Sequence, residues 1–343
     1  MVFQSYKTLM FLKKLLPRGL LLAIPYLATG ILSAAEEAPF YLFSYFKKNG
    51  GSGMHLAASR DGLEWKRLGG GKSFLTSTLA DGLIRDPSIV QGGDGTFHLV
   101  WTPGWWERGV GYASSKDLIS WSEPRWLPVM EHEPTALNTW APELHYNPDD
   151  GLFMILWAST IPWRFPETDH PMGDKTRSGI TANHRHYFTT TRDFQKFSDT
   201  RLFHDPGFNS IDGTVVRVGE RWLLVFKDET KAPEPKKNIR LAWGDSMTGP
   251  FGPASGPISP NWVEGPSMLR IPGGGWNLYF DAYTRKRYEG MHSADLRTWK
   301  PITDRLKFPK GIRHGTMFAV PKEVYTKIEA LNHPVEAKPA TTE

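Results

Sequence analysis

Five short polar phrases in this 343-residue chain hold the groups best suited to acid–base chemistry. They are Arg85-Asp86-Pro87, Trp140-Ala141-Pro142-Glu143, Ile211-Asp212, Glu264-Gly265-Pro266 and Arg313-His314-Gly315. Small or apolar residues follow each polar group, so none belongs to an ordinary alternating, solvent-facing strand. Carboxylates gathered at one place raise one another's pKa, which costs stability and points to a use. Two carboxyl groups on opposite sides of a sugar, one giving a proton and one activating water, are what glycosidic hydrolysis requires. An inverting arrangement needs about 6.5–9.5 Å between them to admit the water. Neighbours on one strand could not supply that gap; groups carried by separate elements across an opening could. Arg85, Arg313 and Arg240 are the cations that could keep the base ionised.

The elements that must position these groups announce themselves by repetition. A small residue, then Asp, then an aromatic four residues later recurs as Ser59-Arg60-Asp61…Trp65, Ser115-Lys116-Asp117…Trp121, Thr191-Arg192-Asp193…Phe197 and Ser293-Ala294-Asp295…Trp299. Gly244-Asp245…Phe251 is a longer copy, and the Asp positions step by 56, 76, 52 and 50 residues. A period near fifty is that of a β-propeller blade. The recurring Asp is read as turn-forming. Bulky runs precede each phrase, for example Phe97 to Trp101 followed by Gly109 to Ser114, and they lack alternation as strands covered on both faces do. The polar phrases open the first strand of each period, which places Asp86, Glu143, Asp212, Glu264 and His314 at comparable positions around one opening. The C-terminal phrase has no later strands, and the N-terminal copy from Tyr41 lacks a first strand. Each completes the other in a closed five-bladed, all-β ring, which removes an exposed edge. A sixth blade would require a sheet within residues 127–139.

Composition agrees. The chain has 14 Trp, 11 Tyr, 19 Phe, 33 Gly and 27 Pro, which excludes a coiled coil or helical bundle. It has no Cys, which excludes a disulfide scaffold, a thiolate zinc site and a cysteine nucleophile. Four of the net five positive charges fall in residues 1–35, leaving +1 elsewhere, so nucleic acid loses its electrostatic case as a partner. That opening stretch runs from basic residues through an apolar segment to Ser33-Ala34-Ala35, the order of a signal peptide at 1–35. The apolar segment is short for a membrane span. The domain layout expected is a propeller over 36–327 and a frayed tail over 328–343, with the mature protein exported to the periplasm or beyond.

The five phrases in this order resemble glycoside hydrolase family 43, over about residues 40–321. The resemblance implies a five-bladed propeller among α-L-arabinofuranosidases, β-xylosidases and arabinanases. It implies Asp86 as general base, Glu264 as general acid, and Asp212 as the carboxylate that tunes and orients the acid. It implies that His314 holds water or a metal ion near the axis, with a structural Ca2+ in the channel and no cofactor needed for chemistry. Asp212 departs from the family pattern in being followed by Gly rather than Pro or Ala.

Further candidates for touching a sugar are Trp105 and Trp163 in Gly/Pro-flanked loops, Trp140 and Glu143 at the second phrase, and Arg313. Residues 161–184 read as a long loop on the ligand side. His184-Arg185-His186 and Glu131-His132-Glu133 lack the spacing of a zinc site and read as polar contacts. The expected activity is inverting hydrolysis of plant-type glycans, α-L-arabinofuranosidase first, with β-xylosidase, β-D-galactofuranosidase or a non-catalytic carbohydrate-binding propeller as alternatives.

Overall fold

The computed structural model describes residues 40–171 and 180–332. The expected signal segment, most of the expected tail and residues 172–179 of the long loop lie outside them. Within them, five antiparallel sheets form the blades. Blade I joins Phe40–Tyr45, His55–Ser59 and Lys66–Arg67 to the C-terminal strand Met317–Val320. Blade II is Arg85–Gln91, Phe97–Thr102, Val110–Ser115 and Arg125–Leu127. Blade III is Trp140–Asn147, Leu152–Ser159, Arg185–Thr191 and Arg201–His204. Blade IV has the three strands Ser210–Val218, Arg221–Asp228 and Asn238–Gly244, and blade V runs Glu264–Arg270, Trp276–Ala282, Arg287–Ser293 and Lys300–Pro301.

The ring closes as expected, with Phe43 opposite Met317 and Phe40 opposite Val320. No sixth sheet forms from residues 127–139, which follow the last strand of blade II as a loop. Five apolar clusters fill the five interfaces between neighbouring blades. Leu224 and Phe226 face blade III while Leu223 and Val225, on the other face of the same strand, meet Met268, Leu278 and Phe280 of blade V. Burial on both faces explains why these strands read as unbroken apolar runs.

The repeated Asp acts inside its own turn. Asp61 Oδ1 accepts from the backbone N–H of Leu63 and Glu64 at 2.8 and 2.9 Å, and Asp117 does the same for Ile119 and Ser120. The residue after each Asp is left-handed (Gly62, Leu118, Phe194, Leu296), a cost that the Asp hydrogen bonds offset.

The tail boundary needs correction. Residues Lys322–Glu329 form the one α-helix described (α1), and a 3-10 turn carries the chain to Asn332. Tyr325 and Ile328 are buried against Leu42, Trp101 and Val320 between blades I and II. Ordered packing therefore extends past residue 327. The sequence signal is the spacing of Val324, Tyr325 and Ile328, one face of a helix.

Candidate active site

The opening strands share a register that decides what each polar phrase does. In blades II to V the pairing slips between Arg85 and Ser88, Trp140 and Glu143, Ile211 and Thr214, and Glu264 and Ser267. The residue after each slip starts, Asp86, Ala141, Asp212 and Gly265, has φ of 49°, 48°, 53° and 59°. Such bulges re-aim side chains at the rims of barrels and at active sites. In blade I, Arg313 pairs with Phe46 and continues the pattern.

The phrases therefore stack in tiers rather than in one ring of equivalent positions. Arg85, Trp140, Ile211, Glu264 and Arg313 form the outer tier. Asp86, Ala141, Asp212, Gly265 and His314 form the next. Ser88, Glu143, Thr214, Ser267 and Thr316 lie two residues deeper. All five outer residues, with Asp86, Ala141, Asp212 and His314, line one cavity of about 360 Å3, joined by Lys48, Asn49, Thr102, Trp105, Lys227 and Glu229. This is the size range of small-ligand sites.

Glu143 is thereby corrected: it is buried and does not line the cavity. Ser88 and Thr316 donate hydroxyl hydrogen bonds of 2.9 Å to its two oxygens. Burial pushes its pKa up to about 7, with His314, Thr316 and Ser88 acting against the rise. Trp163 is 79% exposed and also lies outside the lining residues. Trp105 and Trp140 do line the cavity; their rings meet edge to face at 5.9 Å, and the Trp140 indole N–H donates to the Trp105 carbonyl at 2.7 Å.

His314 is the electrostatic centre. Its Nδ1–H reaches Asp86 Oδ1 at 3.2 Å. Burial alone would lower its pKa, but the Asp86 hydrogen bond and the charges of Asp212, Asp86 and Glu143 raise it to about 9. His314 is thus an imidazolium at neutral pH. Burial pushes Asp86 upward, yet His314, Arg85 and a 3.0 Å hydrogen bond from Thr102 hold it below the usual carboxylate value. Among the three arginines considered from sequence, Arg85 is the one that helps here; Arg240 pairs instead with Asp228. Asp212 goes the other way: burial raises its pKa, His314 and Lys227 oppose, and Glu264 and Asp86 add to the rise. The Gly265 N–H donates to Asp212 at 2.9 Å. Gly265 is obligatory, since a Cβ there would lie 2.3 Å from the His314 ring on a left-handed backbone. Gly213, the departure noted after Asp212, makes room in the same way for the buried His186 ring, 2.8 Å from where its Cβ would sit.

Both oxygens of Glu264 meet cations, Arg313 at 2.8 Å and Lys227 at 3.3 Å. Asp281 anchors Arg313 from behind at 2.6 Å, and Glu229 holds Lys227 at 2.8 Å. Burial would lower the Lys227 pKa, but Glu229, Glu264 and Asp212 outweigh it and raise it. Lys227, Glu229 and Asp281 were not singled out from sequence. Their signal is a charge ending an otherwise apolar strand, directly opposite the outer tier: Lys227 faces Ile211 and Asp281 faces Glu264.

The carboxylates nearest to where the resemblance would put a channel calcium have hydrogen-bond partners of their own. Calcium takes six to eight oxygen ligands, and Asp86, Asp212 and Glu143 already bind His314, Thr102, the Gly265 N–H, Ser88 and Thr316. Among the described residues no three His, Asp or Glu side chains group so as to hold a metal ion. The His314 imidazolium itself supplies the positive charge between these carboxylates. His184 and His186 are buried, with pKa values lowered by burial to about 3, and serve as neutral polar contacts. No helix among the described residues is long and apolar enough to cross a membrane.

Comparison with known proteins places this geometry in a family. The α-L-arabinofuranosidase of Bifidobacterium longum subsp. longum is 25% identical over 257 residues, 65% of this chain. The chain spans about a quarter of that relative's length, with 24% covered. Among solved structures, the α-L-arabinofuranosidase from Lactobacillus brevis aligns over 64% of this chain and 72% of its own, at 19% identity and TM-score 0.48. The xylan β-1,4-xylosidase from Bacillus halodurans C-125 aligns over 66% and 42%, also at 19% and 0.48. A family model related to glycoside hydrolase family 43, described as a probable glycosyl hydrolase domain, matches residues 36–326. With the entire ring inside that match, the chain belongs to this glycosyl hydrolase 43-related family.

Proposed function

We propose that the protein is an inverting glycoside hydrolase whose first substrate is a terminal α-L-arabinofuranosyl linkage. The observation that carries the reading is the meeting of Asp86, Asp212 and Glu264, from blades II, IV and V, on one cavity. Asp86, held ionised by His314 and Arg85, suits the base that takes a proton from water. Glu264 suits the acid that protonates the leaving oxygen, and Asp212 orients it from beside Gly265. Trp105 and Trp140 offer apolar faces to the sugar, and Arg313 fixes Glu264 while facing the same space. The arabinofuranosidase named above supports this sugar, with β-xylosidase and β-D-galactofuranosidase specificities as alternatives. The order of residues 1–35 supports export of the protein.

A second reading, a glycan-binding propeller without turnover, is favoured by the two cations on Glu264. A carboxylate engaged at both oxygens donates a proton only after a substrate displaces one partner. Hydrolysis followed by NMR separates the readings. The first product released from an aryl α-L-arabinofuranoside is expected as the β-anomer. Glu264→Gln should lose about 10²–10⁴-fold on an arabino-oligosaccharide. It should lose much less on a dinitrophenyl arabinofuranoside, whose leaving group needs no proton, whereas Asp86→Asn should fail on both. If the wild type binds sugars yet releases none from arabinosides, xylosides or galactofuranosides, the binding reading stands and the hydrolase reading falls.

A further inference from the structure

Three of the five large apolar side chains left exposed among the described residues are tryptophans: Trp105 at 39%, Trp163 at 79% and Trp262 at 41%. Topology puts all three on the same end of the ring. Each inner strand starts at the cavity, and the second strand returns to it. Loops joining second to third strands, and loops leading into inner strands, therefore share the cavity face. Trp105 lies between Phe97–Thr102 and Val110–Ser115, Trp163 between Leu152–Ser159 and Arg185–Thr191, and Trp262 just ahead of Glu264–Arg270.

Two of them are held outward at a conformational cost. Trp163 and Trp262 have φ of 66° and 65°, rare for a bulky residue and a pointer to function when it persists. Their neighbours pin the backbone. Ile161 is buried, and Arg164 bonds Glu133 at 2.7 Å. The Asn261 side chain accepts from Asn238 at 2.9 Å, and the Val263 N–H donates to the Lys237 carbonyl at 3.1 Å. Trp262 is two residues from Glu264, so the gap is at most about 7 Å of chain. Trp105 itself edges the cavity.

We infer that Trp163 and Trp262 are outer subsites for a polysaccharide, so that the substrate is a polymer or branched chain rather than a free oligosaccharide. This rests on the hydrolase reading only for the group cleaved, not for binding. Single exposed rings carried on separate loops do not make the contiguous apolar patch of a protein interface. A flat exposed aromatic ring matches the apolar face of a sugar. Their place on the same end of the ring as Trp105 and the cavity names a glycan chain as the occupant.

The test uses the full chain carrying Glu264→Gln to stop turnover, run in native gels containing soluble arabinan, arabinoxylan or arabinogalactan, with dextran as the control. At least one of the three polymers should retard it. Adding Trp163→Ala or Trp262→Ala should raise the polymer Kd at least fivefold, and the double variant at least twentyfold. Far-UV circular dichroism should be unchanged, since neither ring belongs to one of the buried clusters between blades. In the active protein the same changes should lower the ratio of polymer to aryl-glycoside kcat/KM. Equal retardation of the double variant and its parent, or no retardation by any of the three polymers, overturns the inference. Retardation without hydrolysis by the wild type instead removes the hydrolase reading and leaves this one standing.

Discussion

The His314 imidazolium offers the most direct physical test of the site. Its pKa stands at about 9 against an ordinary 6.5. At about 1.4 kcal/mol per unit, that difference corresponds to about 3 kcal/mol of folding stability. The sign follows from which form the fold prefers. A raised histidine contributes fully below pH 6.5 and loses that contribution as pH rises through about 9. Asp86, whose pKa is lowered, contributes above its ordinary value of 3.8 and loses it as pH falls. His314→Gln keeps a donor near Asp86 and deletes the charge. Urea unfolding from pH 6 to 10 should show the wild type losing about 3 kcal/mol more than His314→Gln over that range. Groups distant from His314 cancel in the comparison, whereas Glu143, which His314 pulls downward, titrates higher in the variant and narrows the difference. The same variant should move the acid limb of the kcat/KM profile to higher pH, because Asp86 loses its chief cation. Identical stability slopes above pH 7 would mean that His314 is neutral in the fold, and the electrostatic account of Asp86 would fail with it.

Glu143→Gln tests the buried tier. Its pKa is raised to about 7 from 4.5, so the fold prefers it protonated, and stability is lost as pH rises through 7. The amide should leave the protein within about 1 kcal/mol of wild type at pH 5 and make it more stable at pH 8 by denaturant unfolding. A drop in stability at both values would show that the carboxylate is needed ionised. Ile328→Ala should cost about 2–5 kcal/mol, read as a fall in the denaturation midpoint, because the side chain is fully buried between blades I and II. A neutral result would restore the boundary at residue 327.

The ring itself was legible in the sequence because its causes are local. Turn chemistry repeats in Ser59-Arg60-Asp61 and its copies, and a strand covered on both faces, such as Trp222 to Phe226, is apolar throughout. The missing first strand at Tyr41 and the surplus one at Met317 specify closure without coordinates. Asp86, Asp212 and Glu264 were legible because each opens an inner strand of that ring. Helix α1 is hard to see in sequence because eight amphipathic residues carry little signal beside the nineteen blade strands described.

What tertiary structure alone decided was depth and pairing. A one-residue bulge at each strand mouth, invisible in composition, sets Glu264 in the outer tier, Asp86 and Asp212 in the next, and Glu143 two residues below among hydroxyls. The partners of Glu264 are likewise non-local: Lys227 comes from the neighbouring blade, and Arg313 from the segment that closes the ring. Sequence periodicity determines which strands exist and which residues begin them. Charge pairing across blades depends on side chains dozens of residues apart meeting in a low-dielectric channel, and only the closed ring brings them together.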